Sequence, residues 1–290
     1  MTTVHIERMA ALKKMLVIAD PGVDQTALFF RASELAASSG CEVEVVGFTG
    51  ADLALTQLDD TDLAKQLELA IAGQFANSGQ VACRVVHTKD IGEWVIQKCN
   101  IEAVDLVVKT GRRSEQLLHQ PTDWHLIREL TCSLLLLSEK KWSAKNVVLA
   151  TVDIEKDDTL QQAMNKNVVS WAKLLSDYSH TESHLMTCVE INRALAELDM
   201  ISAEEVARKK QRALEAQMRE LARELNVHQD GYWVSAGQPH KKIPSLANKL
   251  KADLVVMGSI GRKGIGGLLL GNTAERVLRH IRTDVLVVKP

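Results

Sequence analysis

The stretch "DLVVMGSIGRKGIGGLLLGNTAERVLRHIRTDVLVV", residues 253–288, reads as strand, glycine-rich loop, helix and strand in succession. Two short apolar runs, at 254–256 and 285–288, flank a polar segment of helical period, the signature of a βαβ unit with a parallel sheet. Six of the chain's 16 glycines fall between Gly258 and Gly271, directly after the first strand. So much bare backbone at a strand's carboxyl end needs a reason.

Working outward, the same alternation recurs along the chain in two sets. The first set is "KMLVIAD" (14–20), "CEVEVVGF" (41–48), "VACRVVH" (81–87), "DLVVK" (105–109) and "SLLLL" (133–137). The second is "NVVLATVD" (146–153), "ESHLMTCVE" (182–190), "VHQDGYWVS" (227–235), "DLVVM" (253–257) and "DVLVV" (284–288). The order of runs is the same in both, so the chain reads as a duplicated five-stranded α/β unit. The polar segment "KKWSAK" (140–145) separates the sets and suits an exposed linker, which places the domains at 1–141 and 142–290. Between strands, "DQTALFFRASELAASS" and "SAEEVARKKQRALEAQMRELAREL" read as helices. The second is expected to open with a capping box of Ser202 and Glu205, and it carries an apolar stripe at Leu214, Met218, Leu221 and Leu225.

Composition narrows the function classes. With 290 residues there is material for two domains. A net charge of -2 gives no electrostatic reason to expect nucleic acid or a membrane surface as partner. The five cysteines are far apart, without Cys-x-x-Cys, which argues against a disulfide framework or a thiolate zinc site and for a reducing, cytoplasmic setting. No signal peptide and no transmembrane run of about 18 apolar residues is read. His180 and His184 approach a strand rather than share a helical face, so no metal site is assigned, and no nucleophile elbow is present.

In an open parallel sheet, ligands bind beyond the carboxyl ends of the strands, where strand order reverses. Gly258 and Gly261 can admit a ligand close to the backbone, Gly271 can take a positive φ, and Asn272 or Thr273 can cap the next helix, whose free N–H groups suit a phosphate. Arg262 and Lys263 can add positive charge. Neither a Walker A loop nor the Rossmann Gly-x-Gly-x-x-Gly pattern is present.

What remains is Gly258-x2-Gly261-x9-Gly271-Asn272-Thr273. This spacing resembles the Gly-x2-Gly-x9-Gly-Ser/Thr signature of ATP-binding universal stress proteins. With the duplication, the whole chain resembles a tandem universal stress protein, closest to the E type. The resemblance implies an α/β fold of two tandem doubly wound five-stranded parallel sheets, Rossmann-like and of the adenine nucleotide alpha hydrolase kind, each with strand order 3-2-1-4-5. It implies an adenine nucleotide, ATP or a relative with Mg2+, its base near Thr151 and Asp153, and its phosphates on the loop of Gly258, Gly261, Gly271, Asn272 and Thr273, with Met257 the site residue ahead of the first glycine. Asn272 departs from the family's Ser or Thr.

The first half lacks that loop: after "DLVVK" only Gly111 survives, and the segment to the next helix is three residues shorter. "DPG" at 20–22 is read as a turn, and a phosphate cradle is not expected there. Under the implied strand order both fifth strands would be apolar edges, which invite aggregation unless they pair. An intrachain pseudo-dimer, antiparallel across Leu134–Leu137 and Val285–Val288, is therefore expected; association of two chains into a homodimer stays open. The function expected is a regulatory, nucleotide-binding stress protein rather than an enzyme. The alternatives are a slow ATPase using Asp153 or Glu275, and a scaffold whose crevice is empty or holds an apolar ligand.

Overall fold

The computed structural model describes residues 12–20, 24–50, 59–76, 78–111, 121–138, 146–155, 158–179, 182–189, 200–224, 227, 231–260, 263–264, 267–268 and 271–290. In chain order these form β1 (Lys14–Ala19), α1 (Thr26–Ser39), β2 (Glu42–Thr49), α2 (Asp60–Gln74), β3 (Val81–His87), α3 (Ile91–Ile101), β4 (Leu106–Thr110), α4 (Pro121–Glu129) and β5 (Ser133–Leu137). There follow β6 (Val147–Val152), α5 (Thr159–Ser179), β7 (Glu182–Val189), α6 (Met200–Glu224), β8 (Tyr232–Ala236), α7 (Pro239–Leu250), β9 (Leu254–Gly258), β10 (Lys263–Gly264), β11 (Gly267–Leu268), α8 (Asn272–Leu278) and β12 (Asp284–Val288). The expected boundary at 141 and 142 lies outside the described residues.

Ten strands form one sheet in the order β3-β2-β1-β4-β5-β12-β9-β6-β7-β8. Within each half the order is 3-2-1-4-5 and every pairing is parallel. At the join β5 and β12 run antiparallel, with Val285 opposite Leu136, Leu286 opposite Leu135 and Val287 opposite Leu134. Two apolar edges thus cover each other, and the main-chain groups that would template aggregation are used internally. The Ser138 N–H and Oγ–H both donate to Asp284 Oδ1 at 2.6 Å, closing the far end of this seam in a buried position.

Strands buried on both faces need continuous apolar runs, which is why "LVVM" and "SLLLL" do not alternate. One apolar layer joins Leu28, Ala32 and Leu35 of α1 to Met164, Val168 and Ala172 of α5. The opposite layer joins Val95 of α3 and Leu126 of α4 to Ile243 of α7 and Val277 of α8. Both layers continue across the seam. The aspartates that open "DLVVK" and "DLVVM" have matching jobs: Asp105 Oδ2 accepts from the Lys13 and Lys14 N–H groups, and Asp253 Oδ2 accepts from Val147 N–H, each at 2.9 Å.

Two expectations are corrected. The capping box fails because α6 already begins at Met200, so Ser202 stands inside the helix rather than before it. The strand expected from residue 227 begins only at Tyr232. In the apolar stripe of α6, Met218 is fully buried and Leu221 packs against the core, while Leu225 lies outside the described residues.

Candidate functional site

The second-half crevice opens where β6 and β9, neighbours in the sheet, send their chains to opposite faces: β6 into α5, and β9 towards α8. This is the topological switch point of a doubly wound sheet. Thr151 and Met257 pair across it, so the residues beyond them, Asp153 and Gly258, form its two lips. Thr151 Oγ1 donates to Val256 O at 3.3 Å, which ties the first lip to β9. Met257 is buried in the apolar layer that also holds Ala274 and Val277.

Asp153 is held by its main chain. Its N–H donates to Asn165 Oδ1 at 3.1 Å and its carbonyl accepts from Asn165 Nδ2 at 2.8 Å. Gln161 Nε2 donates to the same Asn165 oxygen at 3.1 Å, fixing the amide's orientation from one turn earlier in α5. Asn165 and Gln161 were missed in the sequence. Both sit in an amphipathic helix where a buried amide looks like any other polar position.

Gly258 is bare for an internal reason. A Cβ there would meet Met164 Cγ at 2.5 Å and Met164 Sδ at 2.7 Å, so the glycine admits α5 against the end of β9. Ser259, also missed, is buried; its N–H and Oγ–H both donate to Val288 O, at 3.1 and 3.0 Å, and bolt the start of the loop to β12. Gly261 and Arg262 lie outside the described residues, and Lys263–Gly264 pairs with Gly267–Leu268 in a short antiparallel ribbon.

The start of α8 differs from expectation. Gly271 is the N-cap, with φ -64° and ψ 138°, so it takes no positive φ. No side chain caps the helix; Asn272 and Thr273 are its first two helical residues, so neither is the cap. Extended backbone at Gly271 is open to any residue, and its smallness rather than its conformational freedom is what remains to favour glycine. Glu275 accepts from Arg279 Nη2 at 2.6 Å and lies 3.8 Å from Arg128 Nη2 of the first half. Both guanidiniums also lie over the Trp124 ring, Arg279 at 5.8 Å and Arg128 at 6.0 Å from its centroid. Trp124 is half-buried and packs against the apolar layer that holds Leu126, Ile127 and Val277.

The first half has a different interior at the same place. Ile18 pairs with Lys109 as Thr151 pairs with Met257, which makes Lys109 the counterpart of Met257 and Asp20 the counterpart of Asp153. Lys109 is 2% exposed; its ammonium pairs with Asp20 Oδ2 and, at 2.7 Å, with Asp123 Oδ1 of α4, and donates to Thr110 O at 3.0 Å. Burial pulls its pKa down, but the carboxylates of Asp123 and Asp20 outweigh that and hold it above the ordinary lysine value. Asp20 is therefore a buried ion-pair partner, while the turn expected at 20–22 runs into residues outside the described ones. A terminal lysine in an apolar strand carries no sign in sequence that its charge turns inward.

Among the described residues, no three His, Cys, Asp or Glu side chains gather as a metal site requires, and no helix is long and apolar enough to cross a membrane. His184 is buried with its Nε2 3.2 Å from Glu182; His180 lies outside the described residues.

Residues 157–289 match the model of the universal stress protein family. The chain is 30% identical to Universal stress protein E of Escherichia coli (strain K12), over 97% of this chain and 95% of that protein. The chain belongs to the universal stress protein family. Solved structures show the same fold: a functionally unknown protein of Pseudomonas aeruginosa PAO1 superposes with a TM-score of 0.75 at 22% identity, covering 97% of this chain and 93% of that one. A universal stress protein of Archaeoglobus fulgidus DSM 4304 gives 0.61 at 17% identity, covering 95% and 98%. This universal stress protein has the tandem organisation along nearly its whole length.

Proposed function

We propose that this universal stress protein is a cytoplasmic stress-response regulator that binds one adenine nucleotide, ATP or a relative, in its second half. The observation that carries the reading is the switch-point crevice between β6 and β9, with Asp153 on one lip and the glycine stretch leaving Gly258 on the other. Thr151 and Asp153 would face the base and ribose. The backbone of Met257, Gly258, Gly261, Gly271, Asn272 and Thr273 would face the phosphates, through N–H groups that suit anions. Magnesium would arrive with the phosphates as their counter-ion.

The reading keeps hydrolysis slow or absent. Turnover would need a carboxylate to orient water or hold the metal; Glu275 is engaged by Arg279 and Arg128, which leaves Asp153 as the acid the ATPase alternative would use. In the first half, domain 1–141, the ammonium of Lys109 occupies the place beside Asp20 that the second half, domain 142–290, leaves to Met257. That domain then acts as the intrachain pseudo-dimer partner through β5.

Calorimetric titration with magnesium ATP tests this, with Gly261→Trp alongside. Saturable heat in the native protein, lost in the variant, is expected, with no phosphate release over the same period. No heat in the native protein overturns the nucleotide reading and leaves the scaffold alternative.

A further inference from the structure

The net charge of -2 averages over a lopsided surface. Residues 237–252 hold four lysines and no Asp or Glu, and residues 271–283 hold three arginines and one acid, Glu275. These stretches carry α7 and α8, which pack on one another over the apolar layer of Ile243 and Val277. In α7, Ile243, Leu246 and Ala247 are buried, which turns Lys241, Lys242, Ser245, Asn248 and Lys249 to solvent. In and after α8, Ala274, Val277 and Leu278 are buried, and Thr273, Arg276, Arg279 and His280 are exposed. The rings of His240 and His280 lie 5.9 Å apart and join the two stripes into one surface. Lys251 and Arg282, both exposed, extend it beyond the helix ends. Glu275 is already engaged by Arg279. A solvated helix normally mixes its signs, as α6 does, where Glu205, Glu215 and Glu220 stand among the exposed cations.

We propose that the α7–α8 face is a docking surface for duplex DNA, held through its phosphates. The exposed side chains of this face are cations, hydroxyls, an amide and an imidazole, the groups that contact the nucleic-acid backbone. Among the described residues of the two helices no apolar or aromatic side chain is exposed. The face therefore lacks the apolar core of a protein interface, the inserting side of a membrane-surface helix and the stacking platform of a single-strand binder. Trp233, the nearest aromatic ring to Lys249, is half-buried and lies under that ammonium, 4.7 Å from it. The width of the face selects the kind of duplex. Packed helices lie about 8–10 Å apart, so their two rows of cations are spaced for phosphates on either side of the narrow B-form minor groove, about 6 Å wide, rather than for the wide A-form one. Charge that is neutral on average over the chain is thus concentrated where one polyanion can use it. Lys241, Lys242 and Arg282 are outside the residues assigned to the nucleotide, so the two readings can fail separately.

Fluorescence anisotropy of a labelled DNA duplex of arbitrary sequence, about three helical turns long, is measured against the full native chain over a range of salt concentrations. Saturable binding at about 50 mM salt is expected, weakening as salt rises with a log–log slope of up to about -6, the value for seven phosphate contacts. The triple variant Lys241→Gln, Lys242→Gln, Arg282→Gln should bind more weakly, with a slope shallower by about 3. All three positions are exposed, and an unchanged thermal midpoint confirms that the variant is folded. The control Lys209→Gln, Arg212→Gln, Arg223→Gln removes the same charge from the exposed side of α6 and should bind as the native protein does. An RNA duplex of the same length and vesicles containing phosphatidylserine are run in parallel. No binding of the DNA at about 50 mM salt, equal loss in the two triple variants, tighter binding of the RNA duplex, or retention on the vesicles in place of DNA overturns the proposal.

Discussion

Lys109 and Met257 hold the same register position in the two halves, Lys109 opposite Ile18 and Met257 opposite Thr151. Two chemically opposed side chains thus fill one place in a duplicated fold. In the first half the ammonium is balanced by Asp20 and Asp123; in the second, Met257 lies among apolar neighbours that include the buried Ala274. Removing only the cation strands two buried carboxylates. Lys109→Met is expected to cost about 3–5 kcal/mol, the usual penalty for breaking a buried ion pair. Lys109→Met with Asp123→Ala, which copies the second half, should recover much of that loss. Urea midpoints of the two variants check this; equal midpoints would contradict it.

Gly258 is predicted to be required by Met164 whatever the crevice holds. Gly258→Ala places a methyl 2.5 Å from Met164 Cγ and should cost about 1–3 kcal/mol, as overpacking does. Shortening the neighbour should relieve it. A double-mutant cycle with Met164→Ala is expected to show favourable coupling, and strict additivity would contradict the contact.

Glu102 provides a pH test at the edge of the first half. It accepts from Lys14 at 2.5 Å and from Lys98 at 2.7 Å, and these two hydrogen bonds hold its pKa down to about 2 from an ordinary 4.5. A depressed folded-state pKa stabilises above the unfolded value and is lost as pH falls through the folded one. The stability advantage of the native protein over Glu102→Gln should therefore be constant above about pH 5 and shrink between 4.5 and 2. The carboxylate is over a third exposed, so the advantage is modest and falls with added salt. Denaturation midpoints at several pH values measure it.

The sheet was legible because both halves write their strands as unbroken apolar runs in the same order, and because two apolar fifth strands had to cover each other. The expected antiparallel contact between Leu134–Leu137 and Val285–Val288 is the observed pairing at Leu134–Leu136 and Val285–Val287. Long-range polar contacts were not legible. Lys109 meets Asp123 only because α4 folds back over β4, Asn165 reaches Asp153 from the far side of a connection, and Ser259 finds Val288 through strand pairing. The glycine stretch was read for its freedom to approach a ligand and to turn, yet Gly258 is small to admit a methionine and Gly271 is extended. Spacing identifies which residues are unusual, while the packed neighbour supplies the reason.

Under the proposed function one nucleotide binds per chain, in the second half, because Lys109 fills the corresponding place in the first. Equilibrium dialysis of labelled ATP with magnesium, against the native protein and Gly261→Trp, counts the sites directly. A limit of one per chain in the native protein and none in the variant is expected. Two per chain, or binding that survives Gly261→Trp, would contradict it.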